Sequence, residues 1–226
     1  MTGARLLLWT VVGELATIVF FGLSFVAFAV GRGDWAAFFQ SPVRVGAVVV
    51  SLVLSAATAF SGFGGMNPGK KEDRRNRWIF GPILALSLAV AMLPAYLDGR
   101  NLWTTDEAVT PYAGLILLTL GGVVRTAAVF VLGRRFTGLV AIQEGHRLQT
   151  SGLYRYIRHP SYAGMLLYMA GFVLVFRCWL GLLLVAGTWA VLVARMNAEE
   201  ALLAEEFGEE YTAYRRHTWR LLPWLY

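Results

Sequence analysis

Two short stretches of this chain hold residue types that could do chemistry. The first reads Gly152-Leu153-Tyr154-Arg155-Tyr156-Ile157-Arg158-His159-Pro160-Ser161-Tyr162, and the second is Arg195-x3-Glu199-Glu200. Guanidinium, imidazole and carboxylate groups are costly near a bilayer unless they serve something. Pro160 suits the first turn of a helix. Free backbone N–H groups at such a helix start attract anions and carboxylates. Tyr154 and Tyr156 add flat aromatic surface and hydroxyls, so this entry fits a ligand carrying both a carboxylate and a planar ring. Arg195 and Glu199 are four residues apart and share a helical face, whereas Glu200 points about 100° away. Alone, such a pair is an ordinary surface ion pair worth roughly a few tenths of a kcal/mol. Its place at the end of an apolar run, opposite His159, favours a functional role. Glu205-Glu206 and Glu209-Glu210 read as a solvated helix face.

The elements that must position these groups are membrane helices. Of 226 residues, 57% are hydrophobic and 15% charged, against roughly a quarter charged in a globular domain. Apolar runs at 6–30, 43–63, 78–97, 112–132, 161–176 and 180–194 predict an all-α, polytopic membrane helix bundle of about six spans. The run 6–30 is too long for a signal peptide, although Ala27-Phe28-Ala29 mimics a cleavage site, and is expected to be the first membrane helix. Glu14 within it is expected near the interface on the bundle side, and Arg125 is expected to face protein or water. Ser51, Ser55, Ala56, Ala57 and Thr58 suit close helix packing. The glycines of 62–77 lack the Lys-Ser/Thr ending of a phosphate loop, so this segment is expected to be a flexible basic loop against anionic headgroups. Arg177-Cys178-Trp179 leaves room only for a tight hairpin, which returns Arg195 to the depth of His159. Residues 195–214 carry Leu202, Leu203, Phe207, Tyr211 and Tyr214 at helical spacing, which predicts a C-terminal amphipathic helix on the bundle or membrane surface.

The net charge of +6 fits cytoplasmic loops better than nucleic-acid binding. Segments 64–77, 133–159 and 195–226 hold most basic residues, whereas the alternate loops hold only Arg32, Arg44, Arg100 and Arg177. The positive-inside rule then puts both termini and both polar clusters in the cytoplasm of a bacterial-type inner or plasma membrane. His146, His159 and His217 are scattered and Cys178 stands alone, so no metal cluster and no internal disulfide is expected. Two regions are expected: 1–135, a scaffold of about four spans with possible acceptor access, and 136–226, carrying the polar clusters.

Gly152-x-Tyr154-x3-Arg158-His159-Pro160-Ser161-Tyr162-x-Gly164, followed by Arg195-x3-Glu199-Glu200 and Phe207-Gly208-x2-Tyr211-x2-Tyr214, resembles the isoprenylcysteine carboxyl methyltransferase and phospholipid methyltransferase superfamily. The resemblance covers roughly residues 140–226. It implies S-adenosylmethionine as cofactor, in a pocket facing the cytoplasm. The family's pocket residues match Gln143, His146, Arg147, Leu148, Gln149, Tyr154, His159, Pro160, Ser161, Tyr162 and Glu199, and Arg195 matches a substrate-side residue. Arg195 and Glu199 are thus the expected catalytic pair.

Methyl transfer from a sulfonium is an in-line displacement that needs alignment more than acid–base groups. A carboxylate acceptor is already ionised, whereas an amine must first lose a proton. The acceptor is expected to be lipophilic and to enter from membrane lipid. Isoprenylcysteine, a phospholipid amine, another isoprenoid and a small hydrophobic acid or thiol all remain open, because no substrate motif stands in the first 135 residues. Membrane sterol reductases that use NADPH share the Tyr-x3-Arg-His-Pro-x-Tyr-x-Gly stretch but generally lack the later Arg-x3-Glu-Glu and Phe-Gly-x2-Tyr. A transporter or assembly protein is the remaining alternative; no internal repeat of the transporter kind stands out.

Overall fold

A computed structural model describes residues 3–61, 70–137, 139–142 and 148–224. Among these described residues seven α-helices follow in order: α1 (Gly3–Arg32), α2 (Pro42–Ala59), α3 (Phe80–Gly99), α4 (Val109–Leu132), α5 (Pro160–Val175), α6 (Leu182–Phe207) and α7 (Glu209–Arg216). Two-residue strands β1 (Lys71–Glu72) and β2 (Ala141–Ile142) pair antiparallel beside them. The architecture is the all-α, multi-pass membrane bundle that the apolar runs predict.

Five segments, Val11–Arg32, Pro42–Ala59, Arg74–Gly99, Val109–Leu132 and Trp179–Phe207, are long and apolar enough to cross a membrane. The expected fifth span is different. At 16 residues and ~1.5 Å per residue, α5 reaches only about 24 Å, short of the roughly 30 Å hydrocarbon core. Protein surrounds much of it: Phe172 and Val173 are fully buried and Met169, Val175 and Phe176 nearly so. Phe20 and Phe21 of α1 meet the Phe172 ring edge-on at 4.8 and 5.7 Å.

Small residues fix α5 in place. Gly164 and Gly171 of α5 face Gly121 and Gly114 of α4. A Cβ on Gly171 would come within 2.2 Å of the Leu118 nitrogen, and one on Gly121 within 2.3 Å of the Tyr168 nitrogen. The two backbones therefore touch, the close approach that glycine permits between membrane helices. Ser51, one of the small residues of α2, hydrogen-bonds the Tyr168 hydroxyl at 2.7 Å. As expected, Arg125 of α4 faces protein, donating to the Ser161 carbonyl at 3.4 Å and its hydroxyl at 3.3 Å. Glu14 turns inward, its Oε1 buried.

The hairpin after α5 is as tight as its length predicts. Arg177 takes φ +53° and the Cys178 N–H returns to the Val173 carbonyl at 3.0 Å. Two boundaries differ from expectation. Helix α6 does not stop near Ala194 but continues through Arg195, Glu199 and Glu200 to Phe207. The break comes at Gly208, φ +53°, a conformation that glycine adopts without steric cost. The amphipathic stretch is thus divided, Leu202, Leu203 and Phe207 on α6, Tyr211 and Tyr214 on α7. Residues 70–77 are ordered rather than a loose basic loop. Lys71–Glu72 pairs with Ala141–Ile142, Arg77 grips Glu72 with two bonds of 2.7 and 2.9 Å, and Lys71 meets Glu205 at 2.6 Å. Residues 62–69 lie outside the described residues.

The glycine contact yields a test. Gly171→Leu is expected to destabilise the protein by about 1–3 kcal/mol or more, the usual cost of overpacking. Gly22→Ala, where an added Cβ meets nothing within 4 Å, is expected to be neutral. Thermal unfolding in detergent compares the two; equal melting temperatures exclude a tight α4–α5 contact.

Candidate active site

The polar groups converge where α5 begins. Pro160 occupies the first turn of α5 and His159 precedes it, as the sequence predicts. The chain beyond α7 crosses this helix start and ties to it by backbone bonds. The Arg158 and His159 N–H groups donate to the Trp219 and Arg220 carbonyls at 2.8 and 3.1 Å, and the Trp219 N–H donates to the Tyr156 carbonyl at 2.9 Å. Under this strap lies Glu200. Its Oε1 accepts from Arg158 Nε at 3.1 Å, Arg220 Nε at 3.1 Å and His159 Nε2 at 3.0 Å. Arg158 Nη1 also bonds the Thr218 carbonyl. A half-buried carboxylate among three donors of this kind is strongly held, and removing it would leave its cations unpaired.

Glu199, the next residue, does something different. Its Oε2 accepts from the Tyr162 hydroxyl at 2.8 Å, and that hydroxyl accepts from Arg195 Nε at 2.7 Å. One phenol thereby joins the two residues that the helical spacing singled out. The His159 ring stacks on Tyr162, centroids 5.4 Å apart and planes 15° from parallel. His159, Ser161 and Arg195 are buried, while the Glu199 side chain remains 36% exposed.

These groups line a cleft of about 880 Å³ including its open mouth. Val140 and Ile142, on or beside β2, and Leu202 give it a buried apolar side. Tyr154, Tyr211 and Tyr214 also line it. Burial raises the phenol pKa of Tyr154 and Tyr211 well above the usual value and that of Tyr214 to about 12. All three stay neutral near pH 7 and can donate. The Tyr214 hydroxyl donates to the Tyr154 carbonyl at 2.7 Å. Among the described residues the buried Tyr211 hydroxyl has no hydrogen-bond partner, an unmet donor of the sort that a ligand satisfies.

Of the residues expected at the site, Leu148, Gln149, Tyr154, His159, Ser161, Tyr162, Arg195 and Glu199 line this cleft. Pro160 does not, and serves to start the helix. Gln143, His146 and Arg147 lie outside the described residues. Glu200, part of the second polar stretch but given no role there, and Arg220, which nothing local linked to either glutamate, both belong to the polar network. Tyr211 and Tyr214 were legible only as apolar positions of an amphipathic helix and as part of the Phe-Gly-x2-Tyr motif.

Residues 114–205 match the isoprenylcysteine carboxyl methyltransferase (ICMT) family model. A probable protein-S-isoprenylcysteine O-methyltransferase of Oryza sativa subsp. indica is 37% identical over 119 residues, 50% of this chain and 61% of the relative. The protein-S-isoprenylcysteine O-methyltransferase of Homo sapiens is 30% identical over 149 residues, 62% of this chain and 52% of the relative. The matched part thus spans about half to three-fifths of these curated relatives. The fold is similar to that of a eukaryotic intramembrane Ras methyltransferase, ICMT, with a TM-score of 0.55 at 19% identity, over 92% of this chain and 75% of that one. Over residues 114–205 the chain is therefore similar to the isoprenylcysteine carboxyl methyltransferase family.

Proposed function

We propose that the chain is an integral membrane methyltransferase that transfers a methyl group from S-adenosylmethionine to the carboxylate of a lipophilic acceptor, in the manner of isoprenylcysteine O-methylation. The observation that carries this reading is the Arg195–Tyr162–Glu199 chain at the wall of the cleft, with Arg125 close by on Ser161. A guanidinium held by a neutral phenol can orient a carboxylate, and a carboxylate needs no base to act as nucleophile. An amine acceptor would approach as an ammonium ion and meet Arg195, with Arg125 just behind on Ser161, which disfavours phospholipid N-methylation.

The cleft's donor set fits the cofactor. Tyr211 offers an unpartnered buried hydroxyl, Val140, Ile142 and Leu202 offer a flat apolar wall, and Glu199 offers a carboxylate toward cationic or hydroxyl groups. In this reading Leu148, Gln149, Tyr154, His159, Ser161, Tyr162 and Glu199 surround the cofactor, and Pro160 acts only by starting the helix that carries Ser161 and Tyr162. Gln143, His146 and Arg147, by the family resemblance, complete the enclosure. When bound, S-adenosylmethionine supplies an electrophilic methyl group on a sulfonium. The protein's part is alignment and exclusion of water. Arg195 turns the acceptor oxygen toward the cofactor, Tyr162 keeps Arg195 and Glu199 in register, and Glu200 acts as a positioning residue that clamps Arg158, His159 and the strap. Residues 136–226 form the cofactor region, and 1–135 form the scaffold through which the acceptor arrives from lipid. The concentration of basic residues at the cleft end supports a cytoplasmic cleft, with both termini on the same side.

Purified protein, methyl-labelled S-adenosylmethionine and either a prenylated cysteine acid or a phospholipid amine separate the acceptor classes: label is expected in a base-labile ester of the acid. Label in the amine alone overturns the carboxylate reading. Arg195→Gln is expected to lower turnover by roughly 10- to 100-fold, the value of a charged hydrogen bond of about 1.5–3 kcal/mol, while leaving S-adenosylhomocysteine affinity nearly unchanged. Tyr211→Phe is expected to do the reverse, weakening that affinity several-fold in titration calorimetry. For the clamp, Glu200→Ala is expected to speed amide hydrogen exchange at Arg158, His159 and Trp219, whereas Glu205→Ala, which breaks only a surface ion pair, leaves it unchanged.

A further inference from the structure

The end of the bundle opposite the cleft carries a second polar cavity. It lies between the end of α1, the start of α2, the end of α3 and the turn after α5, and spans about 690 Å³ including its open mouth. Arg32, Arg44 and Arg177 line it, with Asp98 as its one acidic residue.

Asp98 is fully engaged. Its Oδ2 accepts from Arg44 Nη2 at 2.7 Å and its Oδ1 from Arg177 Nε at 2.6 Å. This staple joins α2, α3 and the hairpin, but it neutralises only one of three positive charges. An excess of two remains, with Arg44 Nε buried and lacking any hydrogen-bond partner. Arg44 is held in place from below by the Phe28 ring, 4.0 Å from its guanidinium carbon. Arg32 is exposed at the mouth and makes no ion pair among the described residues. Gln40 and Asn101 add amide groups to the wall, and α2 points its N-terminus here, the positive end of its dipole. Uncompensated charge at a membrane boundary is costly unless an anion completes it. Several arginine forks around one space match the oxygens of a phosphate.

The level of the cavity argues for the same occupant. Trp35, Trp103 and Trp179 are exposed at this end of the bundle, and such tryptophans sit at headgroup depth. We propose that this cavity binds a phosphate group at the membrane face opposite the methyl-transfer cleft. The phosphate arrives either on an anionic phospholipid or as the free ion.

Native mass spectrometry and thermal unfolding of the full chain in detergent test this with three additives: phosphatidylglycerol, diacylglycerol of the same chains, and inorganic phosphate. Retention of one phosphatidylglycerol with a raised melting temperature, absent with diacylglycerol, identifies a lipid source. The same stabilisation by millimolar inorganic phosphate identifies a soluble one. Arg32→Gln and Gln40→Glu change exposed side chains outside the Asp98 staple, so both variants keep the fold. Each is expected to weaken binding by roughly tenfold or more, as loss of a charged hydrogen bond does. No response to either phosphate source overturns the proposal, as does a response that both variants preserve.

Discussion

Backbone contact between α4 and α5 governs where every other part of the cleft can be. Helix α5 is shorter than the hydrocarbon core, so its apolar length alone cannot set its depth in a bilayer. Contact at Gly164 and Gly171 against Gly121 and Gly114 sets it instead. That depth determines where His159 and Tyr162 emerge. The tight turn at Arg177 then leaves α6 little freedom to slide, so Arg195 arrives within 2.7 Å of the Tyr162 hydroxyl. Side chains that are costly in lipid are thereby gathered on protein.

Two adjacent carboxylates divide the work of that end. Glu200 is consumed by structure, because Arg158, His159 and Arg220 all bond one of its oxygens. Glu199 keeps a bond to Tyr162 and remains partly open to the cleft. Adjacent helical residues normally face different neighbours, and here both neighbours exist: α5 on one side of α6 and the C-terminal strap close by. The strap converts what would be a solvent-facing glutamate into a clamp, and it does so across the helix start that bears His159.

Much of this was legible in the sequence, for physical reasons that differ by element. Membrane runs announce themselves by apolar length, Pro160 by its fitness for a first helical turn, and the Arg177 turn by having no residues to spare. Those three together bring His159 opposite Arg195 before any coordinate is known. The glycine contact was not legible, because spacing within α4 or α5 does not say which helices touch. Pairing of Lys71–Glu72 with Ala141–Ile142 spans two residues on each side, too few for a periodic signal. The partners of Glu200 were not legible because Arg220 above all reaches it through the fold of a segment 20 residues away. The end of α6 was set too early because a charged residue, Arg195, reads as a membrane exit, yet Tyr162 gives it a partner within the bundle.

We propose that the cleft takes a sulfonium cofactor rather than the reduced nicotinamide used by sterol reductases sharing the Arg-His-Pro-x-Tyr stretch. Titration calorimetry of the purified chain with S-adenosylhomocysteine and, separately, NADPH tests this most directly. Saturable binding of one equivalent of S-adenosylhomocysteine and none of NADPH is expected. Saturable NADPH binding with no response to S-adenosylhomocysteine would contradict it.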